Sequence, residues 1–468
     1  MNFVPAARAA RRGSFLGLLC AVILSGSAAS SAASAPLRAK SVTAFVNVNV
    51  VSMDPADAKI QKRMTVVVED GVITAVGPSR RTEVPAGAEI VNGKGKYLLP
   101  GLNDMHFHGR NLSALPEKFE PADLYTILLA SGITGIFDVW GFPDAFKWQR
   151  DLDRGQVVGP RLRFSSPGLD EANYANADAI EAEIRGWAKK GYQWIKSHSV
   201  TTPAAFERVF SVAAALGIPV IGHALRPGFP ITTTLAQKPL MIAHIEEILS
   251  TTAHTPANFV EQFAGPVLEV ATARTWVTTT AVVYDVIAAT VDDALFAQLP
   301  NSPGMEYLPP TAAALWTSQN QFRDPGFLKD RGHWLSELRV QQNIVKQLKA
   351  NGHVDRLLLG TDAGGPPFVV PGAALHDEMQ LLEKAGLTAL EVIQTGTLNP
   401  AVFFAEADVA GTVSTGKRAD LILVKKNPTK KIANLSKLAG TMVRGVWLPE
   451  ATLQARLDEL KQRWNRRP

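Results

Sequence analysis

The residues of this chain best suited to chemistry are His106, His108, Lys196, His223, His244 and Asp362. Neutral imidazole is the commonest side-chain metal ligand, and a carboxylate can both ligate a cation and move a proton. In Asp104-Met105-His106-Phe107-His108 the two His alternate with other residues, so a β-strand presents both on one face, a geometry suited to chelating one ion. Alone, such a pair does not establish a metal site. Lys196 ends the run Tyr192-Gln193-Trp194-Ile195, where a bare ammonium is costly to bury, so something must neutralise or bind it. His223 follows Gly217-Ile218-Pro219-Val220-Ile221-Gly222, His244 follows Leu240-Met241-Ile242-Ala243, and Asp362 follows Leu357-Leu358-Leu359-Gly360-Thr361. Each of these three has an ordinary reading as a hydrogen-bonded core residue. Their joint placement does not: four of only nine His, with one Lys and one Asp, all close apolar runs.

The elements that must position them alternate. From about Leu98 to Ala405 short apolar runs are separated by helical patterns, the mark of repeated βαβ units and a parallel sheet. Strands are expected to end near His106, Asp138, Phe164, Lys196, Ile221, Ala243, Thr280 and Thr361, which fits an α/β protein with a (β/α)₈ TIM barrel over residues 98–405. In such a barrel the active site lies at the C-terminal ends of the strands, where these polar residues fall. A long Pro-rich segment, 285–345, separates the last two strands and is expected either to form a partly helical lid or to pack peripherally. Asp70-Gly71 is a hairpin signal between Met64 to Val68 and Val72 to Val76. Similar strands at Ala419 to Val424 and Thr441 to Trp447 suggest that residues 36–97 and 406–450 form one small β-sandwich domain, with 451–468 as a helix or tail.

The 468 residues are 46% hydrophobic and 19% charged, enough apolar residues for one large core or two. Residues 1–35 read as an export signal peptide: Arg8, Arg11 and Arg12 precede an apolar stretch from Phe15 to Leu24 and a small-residue run from Ser25 to Ala35. The stretch is too short to span a bilayer, and no membrane insertion is expected once it is removed. Arg11-Arg12 before Gly13-Ser14-Phe15-Leu16 resembles a twin-arginine signal with its Phe one position late; ordinary secretion is the default. Either route ends in the periplasm or outside the cell. Leu19 is too large a neighbour for Cys20 to be a lipoprotein cleavage site. Without the leader, 45 basic residues face 43 acidic ones, too small a surplus for a nucleic-acid binder. Cys20 is the only cysteine, so the mature chain has no disulfide, and a metal must be held by His, carboxylate or a modified Lys. The expected partner is a small-molecule substrate, and a homo-oligomer is compatible with the sequence.

The segment from Leu98-Leu99-Pro100-Gly101-Leu102 to His108 resembles the amidohydrolase superfamily, as do Leu359-Gly360-Thr361-Asp362-Ala363 and Thr397-Leu398-Asn399-Pro400-Ala401. So do Gly411-Thr412-Val413 and Gly416-Lys417-Arg418-Ala419-Asp420-Leu421, and the resemblance spans nearly the whole mature chain. Gly132-Ile133-Thr134 and Gly159-Pro160-Arg161 are most similar to its imidazolonepropionase and Xaa-Pro dipeptidase relatives. The resemblance implies a hydrolase acting on an amide C–N bond of a dipeptide, N-acyl amino acid or cyclic amide. It implies two divalent metals, Zn being the first expectation and Mn, Co or Fe compatible. His106, His108 and Asp362 would surround one, His223 and His244 the other, with Lys196, carboxylated by CO₂, bridging both. The carbamate is an anionic bidentate ligand that two cations stabilise. Two adjacent metals lower the pKa of a bridging water and polarise a carbonyl; Asp362 would take the proton from the attacking hydroxide and pass it to the departing amine. No protein nucleophile is required.

One departure is plain: those relatives carry a Gly-containing segment after the key Lys, whereas this chain has Ser197-His198-Ser199, so the pocket wall is expected to differ. Three further residues are candidates for substrate binding. Arg110 sits at an offset where some cyclic-amide-hydrolysing relatives hold a substrate carboxylate, although a solvated surface Arg is an equal alternative. His198, on the strand face of Lys196, would contact a substrate carbonyl or make a loop hydrogen bond. Tyr284 lies just past strand seven. Two other functions compete: a mononuclear deaminase, whose branches place another residue type at the strand-four position, and a barrel that binds without turnover. The second is disfavoured because a buried His and carboxylate cluster needs a metal or mutual pairing.

Overall fold

The computed structural model describes residues 42–465 except 58, 114, 116–118, 226–227 and 250–258. The expected signal peptide and Cys20 lie outside the described residues. Asp70 and Gly71 have φ of 50° and 82°, the paired positive values of a two-residue turn between right-twisted strands. They join β2 (Gln61–Glu69) to β3 (Val72–Pro78), and β2 also pairs antiparallel with β1 (Val42–Val50). The short β4 (Glu89–Asn92) and then β5 (Tyr97–Pro100) lie parallel to β1 along its other edge.

The chain passes from β5 into a ring of parallel strands: β6 (Leu102–Phe107), β7 (Ile133–Asp138), β8 (Arg161–Phe164), β9 (Gly168–Leu169), β10 (Ile195–Ser197), β11 (Val220–Gly222), β12 (Met241–Ile242), β13 (Trp276–Thr278) and β14 (Leu357–Leu358). Neighbours pair in the order β6-β7-β8 and β9-β10-β11-β12-β13-β14. Two seams complete the ring. β8 and β9 are halves of one strand interrupted at Ser165, Ser166 and Pro167. Across that gap Ser166 N donates to Trp194 O at 2.8 Å, and Ser166 Oγ accepts from Lys196 N at 3.0 Å. At the second seam β6 meets the chain beyond β14: Met105 N donates to Leu359 O at 2.8 Å, Asp362 N to His106 O at 2.8 Å, and His108 N to Ala363 O at 2.9 Å. The result is an eight-stranded barrel. All residues of β7 are buried, as befits a parallel strand covered on both faces. Met105, Phe137, Ile221, Met241 and Leu358 pack with Trp276 and Phe403 inside the ring. The C-terminal strand ends are left to polar residues.

The surrounding helices bring each strand back in register. In Ala177–Lys190, Ile180, Ile184 and Trp187 recur on one stripe and are buried, Asn176 Oδ1 accepts from Ala179 N, and Gly191 stops the helix at φ 94°. The chain then turns directly into β10 and Lys196. The 285–345 segment contributes the helix Pro310–Ser318 and most of Arg331–Ala350. Trp334 stacks on Phe327 within the segment at 5.1 Å between centroids, Trp316 meets Phe368 beyond β14 at 5.6 Å, and Leu338, Val340 and Ile344 of the second helix join the main buried core.

After the barrel, β15 (Leu421–Val424), β16 (Leu438–Val443) and β17 (Val446–Pro449) extend the first sheet in the order β17-β16-β15-β5-β1-β2-β3. The expected sandwich is therefore one hydrogen-bonded sheet that curls on itself. Phe45 of β1 meets Trp447 of β17 edge to face at 5.1 Å, although three strands separate them, and Ile73 N donates to Lys417 O at 2.8 Å. Phe45, Val66, Leu98, Leu421 and Met442 fill the fold. The final helix, Glu450–Asn465, buries Leu453, Leu457, Leu460 and Trp464. Among the described residues no helix is long and apolar enough to cross a membrane.

Candidate metal centre and active site

His106 sits within β6 and Lys196 within β10, while His108, His223, His244 and Asp362 follow β6, β11, β12 and β14. All six line one cavity of about 420 Å³ at the C-terminal mouth of the barrel. His106 is 1% exposed and Lys196 has no exposure, so both belong to the floor. The imidazoles form an arc, with ring centroids 5.3 Å apart for His106 and His108, 4.5 Å for His106 and His244, and 4.9 Å for His223 and His244. Asp362 Oδ1 lies 2.6 Å from His108 Nε2 and 3.4 Å from His106 Nε2.

The Nδ1 atoms explain how the rings are aimed. His106 Nδ1 is 3.0 Å from Ala243 O, His223 Nδ1 bonds the Glu247 carboxylate, and His244 Nδ1 is 2.8 Å from Thr280 Oγ1. A carbonyl or carboxylate can only accept, so Nδ1 carries the proton in His106 and His223 and Nε2 keeps its lone pair. Burial, then the charge of Lys196, holds His106 well below the usual imidazole range, and burial pushes His244 down to about 3. A neutral ring that keeps a lone pair on Nε2 is the protonation state that metal ligation requires. Ligand atoms of His106, His244 and Asp362 lie within 4.8 Å of one another, and so do those of His223, His244 and Glu247. This donor set of imidazole and carboxylate fits divalent transition metals, with His244 common to both groups.

Asp362 is held under constraint. Its φ is 64°, a left-handed value that costs a non-glycine residue about 1–3 kcal/mol and recurs at functional sites. The preceding Thr361 is pinned by Asp104, which accepts from Thr361 N at 3.0 Å and from Thr361 Oγ1 at 2.6 Å. Burial alone would raise the Asp362 carboxyl, but His108, His244 and Lys196 outweigh it and hold the group below its ordinary value. An ionised carboxylate at this position can ligate a cation or receive a proton.

The outer residues shape the mouth. Trp140 lies 4.5 Å from His198 and 6.0 Å from His108 between ring centroids. His198 Nδ1 is 2.5 Å from Asp170 Oδ1, and burial lowers its pKa. Arg110, exposed in the short helix Gly109–Ser113, also lines the cavity, as does Asn111, whose Nδ2 donates to Gly364 O at 2.7 Å. From the long 285–345 segment Gln321 reaches the wall. Tyr284 does not. Thr280, at φ 61°, turns the chain out of the barrel, and Tyr284 lies inside the helix Val282–Thr290 with its ring 5.9 Å from Trp334. The expectation that Tyr284 contacts substrate is corrected accordingly. Glu247, Thr280, Asp170, Trp140 and Gln321 were not anticipated from sequence; the one usable signal was the acid pair Glu246-Glu247 just after His244.

A model described as the amidohydrolase family matches residues 97–448. The chain is similar to an adenine deaminase of Paracoccus denitrificans, 27% identical over 136 residues that make up 26% of this chain and 22% of the relative. It is also similar to a dihydroorotase of Mycobacterium tuberculosis, 25% identical over 195 residues, 38% of this chain and 42% of the relative. The matched stretches thus span less than half of these curated relatives. Among solved structures, a Xaa-Pro dipeptidase with methionine bound in its active site superposes with a TM-score of 0.66 at 17% identity, covering 87% of this chain and all of that one. A bottromycin amidohydrolase gives 0.66 at 22% identity, covering 90% of each chain. At these identities the two structures speak for the fold.

Proposed function

The chain belongs to the amidohydrolase family, and from that premise we propose that it is a metal-dependent hydrolase cleaving an amide C–N bond of a small substrate, such as a dipeptide, an N-acyl amino acid or a cyclic amide. The observation that carries the reading is the convergence of four imidazoles, Lys196 and Asp362 on one cavity, with the Nδ1 atoms of His106, His223 and His244 occupied by protein groups. His106, His108 and Asp362 would hold one divalent cation and His223 with His244 a second, with Zn the first candidate and Lys196, as a carbamate, the shared ligand. Two bound cations supply Lewis acidity toward the scissile carbonyl and acidify water.

The remaining chemistry falls to the chain. Asp362 Oδ1, the carboxylate oxygen nearest the imidazoles, is placed to take up a proton and return it to the leaving nitrogen. Trp140 and His198 wall one side of the cavity and limit water there, Asp170 fixing the His198 ring. At the mouth Arg110 offers a planar fork suited to a substrate carboxylate. Export to the periplasm or beyond, by residues 1–35, belongs to the same proposal and rests on the leader's sequence alone.

The test is metal content per chain by plasma mass spectrometry on leaderless protein prepared in bicarbonate, followed by screening of dipeptide, N-acyl and cyclic-amide libraries. About two equivalents with released amino acid or amine supports the proposal. About one equivalent, with ammonia released from a ring substrate, favours the mononuclear deaminase. No metal after reconstitution, with no turnover, overturns the enzyme reading in favour of a binding barrel.

A further inference from the structure

At the opposite end of the barrel from the mouth, near the starts of β6, β7 and β8, lies a small cavity of about 40 Å³ against the curled sheet. Three arginines line it, Arg161, Arg163 and Arg418, with only two carboxylates, Glu406 and Asp420. Arg161 Nε donates to Asp420 Oδ2 at 2.5 Å, while Arg163 and Arg418 share Glu406. The wall therefore carries one positive charge in excess. Two donors are left over among the described residues. Arg418 Nε makes no hydrogen bond and lies 4.0 Å from Asp420 Oδ2, and Thr412 Oγ1 makes none although Thr412 is only 6% exposed. Arg163 lies 4.4 Å over the Phe404 ring, so the charge faces an apolar neighbour on one side. Burial and the neighbouring Arg418 and Arg161 lower the Arg163 pKa to about 10, the mutual repulsion expected of crowded guanidinium groups.

We propose that this cavity binds one small inorganic anion of unit charge, a halide or a compact oxoanion, and that the ion ties the barrel to the sheet. The charge excess sets its sign, the leftover donors supply its hydrogen bonds, and the volume limits its size. The site lies at the opposite end of the barrel from the metal centre, so it acts on stability and not on the chemistry.

The first arm of the test is crystallographic. Crystals soaked in bromide should show an anomalous peak in contact with Arg418 and Thr412. The second arm is thermal unfolding at fixed ionic strength, with chloride, bromide or nitrate exchanged for gluconate, which is too large to enter. A ligand bound only by the native state raises Tm in a saturable way, so Tm should climb and level off with the small anions and stay flat in gluconate. Saturation by nitrate alone would identify an oxoanion, and saturation by chloride and bromide a halide. Thr412→Val, which keeps the side-chain shape, should move the half-saturating concentration up by about tenfold, the loss of one charge-assisted hydrogen bond. Arg418→Gln should abolish the response. The proposal is overturned if Tm is the same in gluconate as in the small anions and the bromide and nitrate soaks leave the cavity without an ion, or if Thr412→Val and a folded Arg418→Gln both keep the wild-type response.

Discussion

Glu247 offers a way to ask whether the metal centre depends on the groups that aim its ligands. Its side chain has no exposure, and both carboxylate oxygens are occupied, one by His223 Nδ1 and the other by Ala224 N at 3.0 Å. Glu247→Ala removes both acceptors at once. Each buried donor left unsatisfied costs about 1–3 kcal/mol, so the apoprotein should lose about 2–6 kcal/mol of unfolding free energy, toward the lower figure if water enters the gap. His223 would also be free to rotate and to exchange tautomers. Loss of such an orienting partner lowers metal affinity about 10–100-fold, or about 1.4–2.7 kcal/mol at the centre. Glu247→Gln keeps one acceptor and the side-chain volume, so it should spare most of the stability while still weakening the metal. The assay is competition with a chromophoric chelator, run beside urea unfolding of the apoprotein. Wild-type metal affinity in Glu247→Ala would refute the orienting role. Loss of a full equivalent of metal, with the other site unchanged, would refute it differently by making Glu247 a ligand.

Three further outcomes follow from the geometry. Lys196→Ala should abolish turnover and lower bound metal, with partial recovery in short-chain carboxylates that can occupy the space the proposed carbamate would fill; undiminished kcat would remove Lys196 from the centre. Arg110→Met should raise KM about tenfold or more for carboxylate-bearing substrates, from the loss of a charge-assisted pair, while neutral amides are unaffected; equal losses on both would make Arg110 structural. Glu378 is fully buried, accepts from Val282 N at 2.7 Å, and is pushed by burial from 4.5 up to about 7. A carboxyl raised in the native state contributes stability that is fully present below about pH 4.5 and is lost as pH rises through 7, about 3 kcal/mol in all. Glu378→Gln should flatten that part of the stability profile in urea unfolding between pH 5 and 8, and an unchanged slope would assign it to another group.

What could be read from the sequence follows from which features local patterns encode. The candidate ligands were visible because each closes an apolar run, and strand ends converge at one face of the fold whatever the loops do. His106 and His108, two apart, share a face by strand geometry alone. The groups that aim them were not visible. Glu247 comes from a 3₁₀ turn, Ile245–Ile248, and Thr280 from a residue at φ 61°, neither of which has a sequence period. The same turn misled the expectation for Tyr284, since proximity to a strand end places a side chain in the cavity only if the chain continues along the strand axis. Asp170 and His198 pair across 28 residues, and Gln321 arrives from a segment whose aromatic packing no alternation pattern encodes. The sheet posed a different difficulty. Alternation revealed several of its strands, but their order, and the curl that brings Phe45 to Trp447, depend on pairing between chain segments hundreds of residues apart.

The hydrogen bonds that close the barrel between β6 and the chain after β14 have a bearing on how the protein matures. His106 and His108 contribute backbone groups to that seam, and their partners, Asp362 and Ala363, arrive about 250 residues later; the Asp104–Thr361 bond across the same seam spans 257. Contacts of such long range are slow to form, because much of the chain must already be ordered before they can be made. Capture of an ion by His106, His108 and Asp362 is thus expected to coincide with the final closure of the ring. A nascent chain already holding His106, His108, Lys196, His223 and His244 has no pocket in which to hold an ion tightly until Ala363 has left the ribosome and found β6. Metal loading can therefore be followed over time as a reporter of completed folding, and a chain still held open along this seam should be selectively metal-free.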